Sequence, residues 1–471
     1  MRVILALAIT ALLLAVTPTI PPGYAAAQDH NKKTFNWNLW RGPNRNSISD
    51  ETDWDTEFLK KPFKINWKIN VGRGYSNVSI YEERLYTMGF DVKAGINSIY
   101  CLEVATGKEI WKYSYRTTAS REWLDDHKLI MTRDYIGPKS TPVVFDGMVY
   151  TLGQNGDFMC NDSKTGKLVW SRQVMREFKA YPPSWMFASS ALIEDGMAIV
   201  NAGRSGLALD RLSGKTVWQS EQGVANYSTP VSYTADGKAR LAIFGQKELY
   251  GIDAGSGKVL WSYPWETVKD VNALDPVAWK DGILFICNEA GCALLDVSAD
   301  SPVTLWSNMN LSSQLATPVI LGNYIYGMKQ APGMDFPGTL ACLDIRDGSI
   351  LWTKGRFLLP SLIATRTHLL IIQENGRMSV TEATPDKNAG FLGNKKIIDR
   401  YCRTAPVLCR ATLYIRNEKG DIISMDISKD RRFGLNNYFY LFKRAGASLK
   451  TALLGYFVKL REIIERILNY F

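Results

Sequence analysis

The stretch Asp210–Trp218, DRLSGKTVW, decides the fold. Its SGKT looks like the second half of a phosphate-binding loop, but that loop needs a glycine where Leu209 stands and must open into a helix. Here Thr216, Val217 and Trp218 are β-branched or aromatic, which favours a strand. The stretch therefore reads as a turn between two strands, with Asp210 and Ser213 shaping it and Gly214 supplying a positive φ.

The same phrase recurs. ATGKEIW ends at Trp111, KTGKLVW at Trp170, GSGKVLW at Trp261 and RDGSILW at Trp352, and an acid precedes each tryptophan by eight positions (Glu103, Asp162, Asp210, Asp253 and Asp344). With Trp67 and Trp306 the tryptophans mark units of 43 to 59 residues. Each unit runs through apolar strands separated by DG-type and glycine-containing turns, as in STPVVFDGMVYTLGQNGDFMCNDSKTGKLVW at 140–170. Four short strands at this period are the signature of an all-β propeller. A blade cannot bury both faces alone, so each indole is expected to dock on the next blade. A unit at 369–385 lacks the tryptophan, and KKIIDR is expected as its fourth strand, with isoleucine in the docking position. FKINWKINV at 63–71 is a fourth strand without a blade, and 404–427 is three strands without a fourth. Joining them closes a ring of eight blades over residues 63–428 and removes the exposed edges of a linear array.

Outside the ring, residues 1–27 combine a basic start, a short apolar run and an AAAQ cleavage site, the pattern of a secretory signal peptide. No cysteine precedes Cys101, so a lipoprotein is not expected. Residues 28–62 form an N-terminal segment. Residues 429–471 carry nine Lys or Arg against three Asp or Glu, so they hold +6 of the net +10, and their apolar residues recur at helical spacing. This basic amphipathic tail suits docking on protein or peripheral contact with a membrane, and the charge of the remainder does not suggest nucleic-acid binding. Three isolated histidines (His30, His127 and His368) leave no metal-ligand spacing. Cys101, Cys160 and Cys342 fall at one repeat position, two before the turn acid, as small core residues. Cys287 and Cys292 flank a short turn, and whether they pair is left open.

The repeat resembles the pyrroloquinoline-quinone (PQQ) propeller family, whose docking motif reads A-x-D-x-x-T-G-K-x-x-W. It is most similar to exported bacterial propellers with an N-terminal W-x-x-W-R-G-P-x-R motif, here Trp37, Trp40, Arg41, Gly42, Pro43 and Arg45. The resemblance covers about residues 36–428. It fixes architecture and not chemistry, because the same propeller serves quinoprotein dehydrogenases and a non-catalytic outer-membrane assembly protein. The dehydrogenases hold PQQ on calcium in the central channel, stacked against a disulfide of adjacent cysteines. This chain has no Cys-Cys pair, and no segment matches the calcium ligands. The expectation is a monomeric, exported binding or scaffold protein of the cell envelope with a protein or other envelope component as partner, no cofactor and no metal. The alternative is a PQQ-dependent alcohol or sugar dehydrogenase using PQQ and calcium.

Residues preceding each innermost strand converge on one mouth of a propeller channel, which gives a candidate site. In order they are Arg73, Tyr75, Lys139, Trp185, Asn226, Tyr227, Asn272, Asp275, Gln314 and Arg403, a mixture of cations, aromatics and amides suited to an acidic, carbohydrate-like or peptide ligand. Two long insertions, 112–139 and 171–188, lie on adjacent blades and are expected to form a ridge over that mouth.

Overall fold

The computed structural model describes residues 36–116, 137–267, 270–299, 301–330, 337–399 and 401–429. The signal segment, most of the first insertion and the tail beyond Lys429 lie outside the described residues.

The described residues build eight antiparallel blades of four strands, each meandering from the channel outwards. Blade 1 runs from Ser79–Tyr81 to Glu109–Arg116, blade 2 from Val143–Phe145 to Leu168–Gln173, and blade 3 from Leu192–Glu194 to Thr216–Gln219. Blades 4, 5 and 6 follow, and the inner strand of blade 7 is Ser361–Thr365. In blade 8 the outer strand is Lys64–Asn70, paired antiparallel with Asp421–Asp426 from the other end of the ring. The expected closure is therefore present. Fully buried Arg416 reinforces it by donating to the carbonyls of Ser76 and Met88 and to the Thr87 hydroxyl in blade 1.

The repeat phrase explains how blades adhere. In DRLSGKTVW, Asp210 Oδ1 accepts from the Ser213 amide at 2.8 Å and hydroxyl at 2.6 Å, and Gly214 takes φ +68°. Trp218 lies opposite Ala208 and donates its indole N–H to the Ala254 carbonyl of blade 4 at 3.0 Å. Trp67, Trp111, Trp170, Trp306 and Trp352 make the same bond to the next blade. The glycine of the next turn lies flat beneath the ring, and a Cβ on Gly257 would come within 2.5 Å of Trp218. Glycine is thus required twice, by φ and by the indole. Trp261 is the exception. Blade 5 has no TGK turn for it to meet, and its indole N–H bonds no carbonyl of the next blade, facing Tyr233 of its own blade instead.

The three repeat-position cysteines face these tryptophans as small core residues: Cys101 opposite Trp111, Cys160 opposite Trp170, Cys342 opposite Trp352. Burial pushes their thiols up, to about 11, 12 and 11. Blade 7 corrects the sequence reading. Its fourth strand is Phe391–Lys396, not KKIIDR, and Gly393 occupies the docking position opposite Val380. The indole-sized gap is filled from outside the repeat by Leu59, on the 3-10 turn Phe58–Lys60. A repeat pattern could not show this, because the filling residue is about 330 positions away.

Candidate functional site

Inner strands all begin at one face of the ring, so the residues preceding them gather there. Their backbones are stitched blade to blade: the amide of Asn77 donates to the Thr141 hydroxyl, Thr141 to Ser190, Ser190 to Thr229, and Thr229 to the Asp275 carboxylate. Asn77 Nδ2 extends the series to the Ala405 carbonyl of blade 8. A small hydroxyl suffices for this role, and blade 5 alone of these places a carboxylate there.

Asp275 is buried because the N-terminal segment reaches it through the channel. Trp37 pairs with the backbone of Ile80, Asn38 with Val144, and Arg45 donates to the Ile193 carbonyl at 2.6 Å and to Glu194 at 3.3 Å. Ile48–Ser49 adds a parallel strand inside blade 7, and the Glu51 carboxylate accepts from the Arg410 and Ala411 amides of blade 8. From this strap Trp40 donates to Asp275 Oδ2 at 2.6 Å, and buried Arg41 lies 4.0 Å from the same oxygen while donating to Ser47 and to the Pro318 carbonyl. Burial raises the Asp275 carboxyl and lowers the Arg41 guanidinium, each partly offset by the other. The strap from Trp37 to Glu51, which carries the W-x-x-W-R motif, is thus a plug seated on blades 1, 2, 3, 5, 6, 7 and 8.

Above the plug remains a cavity of about 230 Å³ to which every blade contributes. Trp37, Trp40, Arg41 and Ser47 are among its lining, and seven of the ten expected site residues line it: Tyr75, Lys139, Trp185, Tyr227, Asp275, Gln314 and Arg403. The walls are mixed aliphatic and aromatic, with the Trp185 and Tyr227 rings 6.0 Å apart and the Trp185 amide donating to the Tyr227 hydroxyl at 3.1 Å. Lys139 Nζ sits 5.8 Å from the Tyr75 ring centre and 3.3 Å from the Gly137 carbonyl. Its dense surroundings push the ammonium down to about 7.

Arg73, Asn226 and Asn272 do not line the cavity. The two asparagines are fully buried in an amide network: Asn226 Nδ2 donates to the Gly245 and Asp270 carbonyls, and Asn272 bonds Gly245, Gln246 and Asn288. Buried amides must spend their donors in this way. Arg73 pairs with Glu418 at 3.3 Å, and Tyr75 donates to the same carboxylate at 2.7 Å. Glu374 holds Arg403 through Nε at 2.9 Å and Nη2 at 2.5 Å, and Glu289 accepts from Gln314. These acids occupy one repeat position, the second residue of the NEAG, QENG and NEKG turns at 288, 373 and 417, and each grips the residue entering the next blade. Sequence reasoning missed them, although the repeated glutamate was visible. The expected cationic mouth is correspondingly balanced by carboxylates.

The second insertion does fold over this face. Gln173 caps the short helix Val174–Phe178, and Ala180–Tyr181 pairs in parallel with Gly223–Val224 before the chain reaches Trp185. Most of the first insertion, 117–136, lies outside the described residues, so a joint ridge is described only on the blade 2 to blade 3 side.

A profile of the family described as outer membrane protein assembly factor BamB matches residues 94–354, more than half of the chain. The chain belongs to that family. The BamB of Shewanella oneidensis is 23% identical over 309 residues, covering 61% of this chain and 74% of that protein. The crystal structure of BamB from Moraxella catarrhalis superposes with a TM-score of 0.55 at 15% identity, over 78% of this chain and all of that one. Quinohemoprotein alcohol dehydrogenase from Comamonas testosteroni gives a TM-score of 0.60 at 12% identity over 84% and 81% of the two chains, a likeness of fold alone. The BamB-family match runs from the last two strands of blade 1 into the last strand of blade 6. The plug and the closing blades lie beyond it.

Proposed function

We propose that this chain is an exported, non-catalytic binding propeller of the cell envelope that takes part in membrane-protein assembly by holding a segment of a partner protein at its channel mouth. Membership of the BamB family carries this reading, and the mouth supplies a surface for it: a cavity with mixed aliphatic and aromatic walls to which all eight blades contribute. An aromatic or aliphatic partner side chain suits such walls, and Lys139, Gln314 and Arg403 supply polar groups at their edge.

The residues present do not fit PQQ with calcium. Strap residues Trp37–Ser49 occupy the lower channel, Asp275 is committed to Trp40, Thr229 and Arg41, and the glutamates of the mouth are committed to the next blade. Among the described residues no three His, Cys, Asp or Glu side chains gather as a metal site.

The test is a photo-crosslinking amino acid placed at position 185 and, as control, at position 215 on the opposite face, in the full chain in cells. A membrane-assembly protein captured from 185 and not from 215 supports the reading. Capture from 215 alone, or an identical pattern at both positions, overturns it.

A further inference from the structure

We infer that Cys287 and Cys292 form a cross-strand disulfide that clamps the blade 5 hairpin at the channel mouth. The two residues are directly opposed in the antiparallel pair Ile283–Asn288 with Gly291–Asp296, one step inside the closing pair Asn288–Gly291. Directly opposed residues point to the same side of a sheet, and both thiols lie in one buried cluster with Leu294 and Leu311. The turn between them has only Glu289 and Ala290. In a hairpin closed by two residues the flanking pair exchanges the hydrogen bonds, so the next pair is a non-hydrogen-bonded one, with Cα atoms about 4.5 Å apart. That separation is within the range a disulfide spans.

The other blades set this pair apart. Blade 2 turns with one residue more, and there Gly153 donates to Asp157 while Leu152 pairs with Phe158, the positions that Cys287 and Cys292 take in blade 5. Blade 4 closes with a two-residue turn like that of blade 5, Gln246 and Lys247, and there Phe244 pairs with Leu249, so in blade 5 two apolar residues are replaced by two thiols. The clamp acts on the mouth itself. Asn288 bonds Trp265 and Asn272, and Glu289 accepts from Gln314 on the cavity wall.

Closure follows ordinary exchange with a small-molecule disulfide such as glutathione disulfide. One cysteine thiolate attacks it and releases one glutathione, leaving a mixed disulfide. The second thiolate attacks the protein-bound sulfur, forms the 287–292 bond and expels the second glutathione. Two protein thiols are oxidised and one disulfide is reduced. Burial holds both thiols protonated, so exchange is slow near neutrality and proceeds through local opening of the hairpin.

The experiment uses the full-length native protein, held with glutathione disulfide at pH 9 to constant composition, then denatured, alkylated without reduction and digested with trypsin. Both cysteines fall in the single peptide 281–329, which contains no other. The expected result is that this peptide resists alkylation and is two hydrogens lighter, while Cys101, Cys160, Cys342, Cys402 and Cys409 are alkylated. Amide exchange at 288–291 and at Gln314 should slow in the oxidised protein. Two alkylated thiols in peptide 281–329, or two separate glutathione adducts, would overturn the inference.

Discussion

Replacing Trp218 by alanine tests the docking logic of the ring most sharply. The indole is 6% exposed and is packed with Leu241, Ile243, Tyr250 and Ile252 across the blade 3 to blade 4 interface, with Gly257 beneath it. Emptying a core site of this size costs about 3–5 kcal/mol, because the surroundings collapse only in part. The Ala254 carbonyl also loses its 3.0 Å donor, adding about 1 kcal/mol. The expected loss is therefore about 4–6 kcal/mol, read as a shift of the urea midpoint at unchanged slope. Trp261→Ala is the internal control. It empties a comparably buried site, at 5% exposure, but its N–H bonds no carbonyl of the next blade, so it should cost about 1 kcal/mol less. A loss below about 2 kcal/mol for Trp218→Ala, or a larger loss for Trp261→Ala, would refute the claim that the tryptophans weld blade to blade through ring packing and one hydrogen bond.

Two further outcomes are expected. Asp275→Ala leaves Arg41 buried beside no carboxylate and should cost about 3–5 kcal/mol in urea unfolding, with proteolysis appearing first in the strap around Trp40. Lys139 is held down to about 7, so between there and the ordinary lysine value near 10.4 the unfolded chain binds the extra proton and stability rises with pH. Its slope is at most about 1.4 kcal/mol per pH unit, with the destabilisation fully present below pH 7. Lys139→Met should abolish that slope and raise the urea midpoint at pH 6; an unchanged pH profile would contradict it.

The ring was readable because its unit is locally encoded. An acid, a positive-φ glycine and a tryptophan at fixed offsets specify a turn and a docking face without knowledge of distant residues. What the repeat does not encode was missed or misplaced. The fourth strand of blade 7 was shifted because Leu59, from outside the repeat, fills the place of an indole above Gly393. Asn226 and Asn272 sit at the mouth in sequence order, but their amides turn inwards to satisfy buried carbonyls and leave the cavity to Tyr227 and Asp275. The plug had one local signal: Asp275 stands where blades 2, 3 and 4 place Thr141, Ser190 and Thr229, and an acid at a buried hydroxyl position calls for a cation, here Arg41.

The central claim, that this propeller binds and does not oxidise, is tested most directly by incubating the full chain with PQQ and calcium and measuring dye-linked oxidation of alcohols and sugars together with bound quinone. The account predicts neither stoichiometric quinone nor turnover, because the strap fills the lower channel and the carboxylates at its mouth are committed to protein partners. One quinone per chain with clear turnover would contradict it.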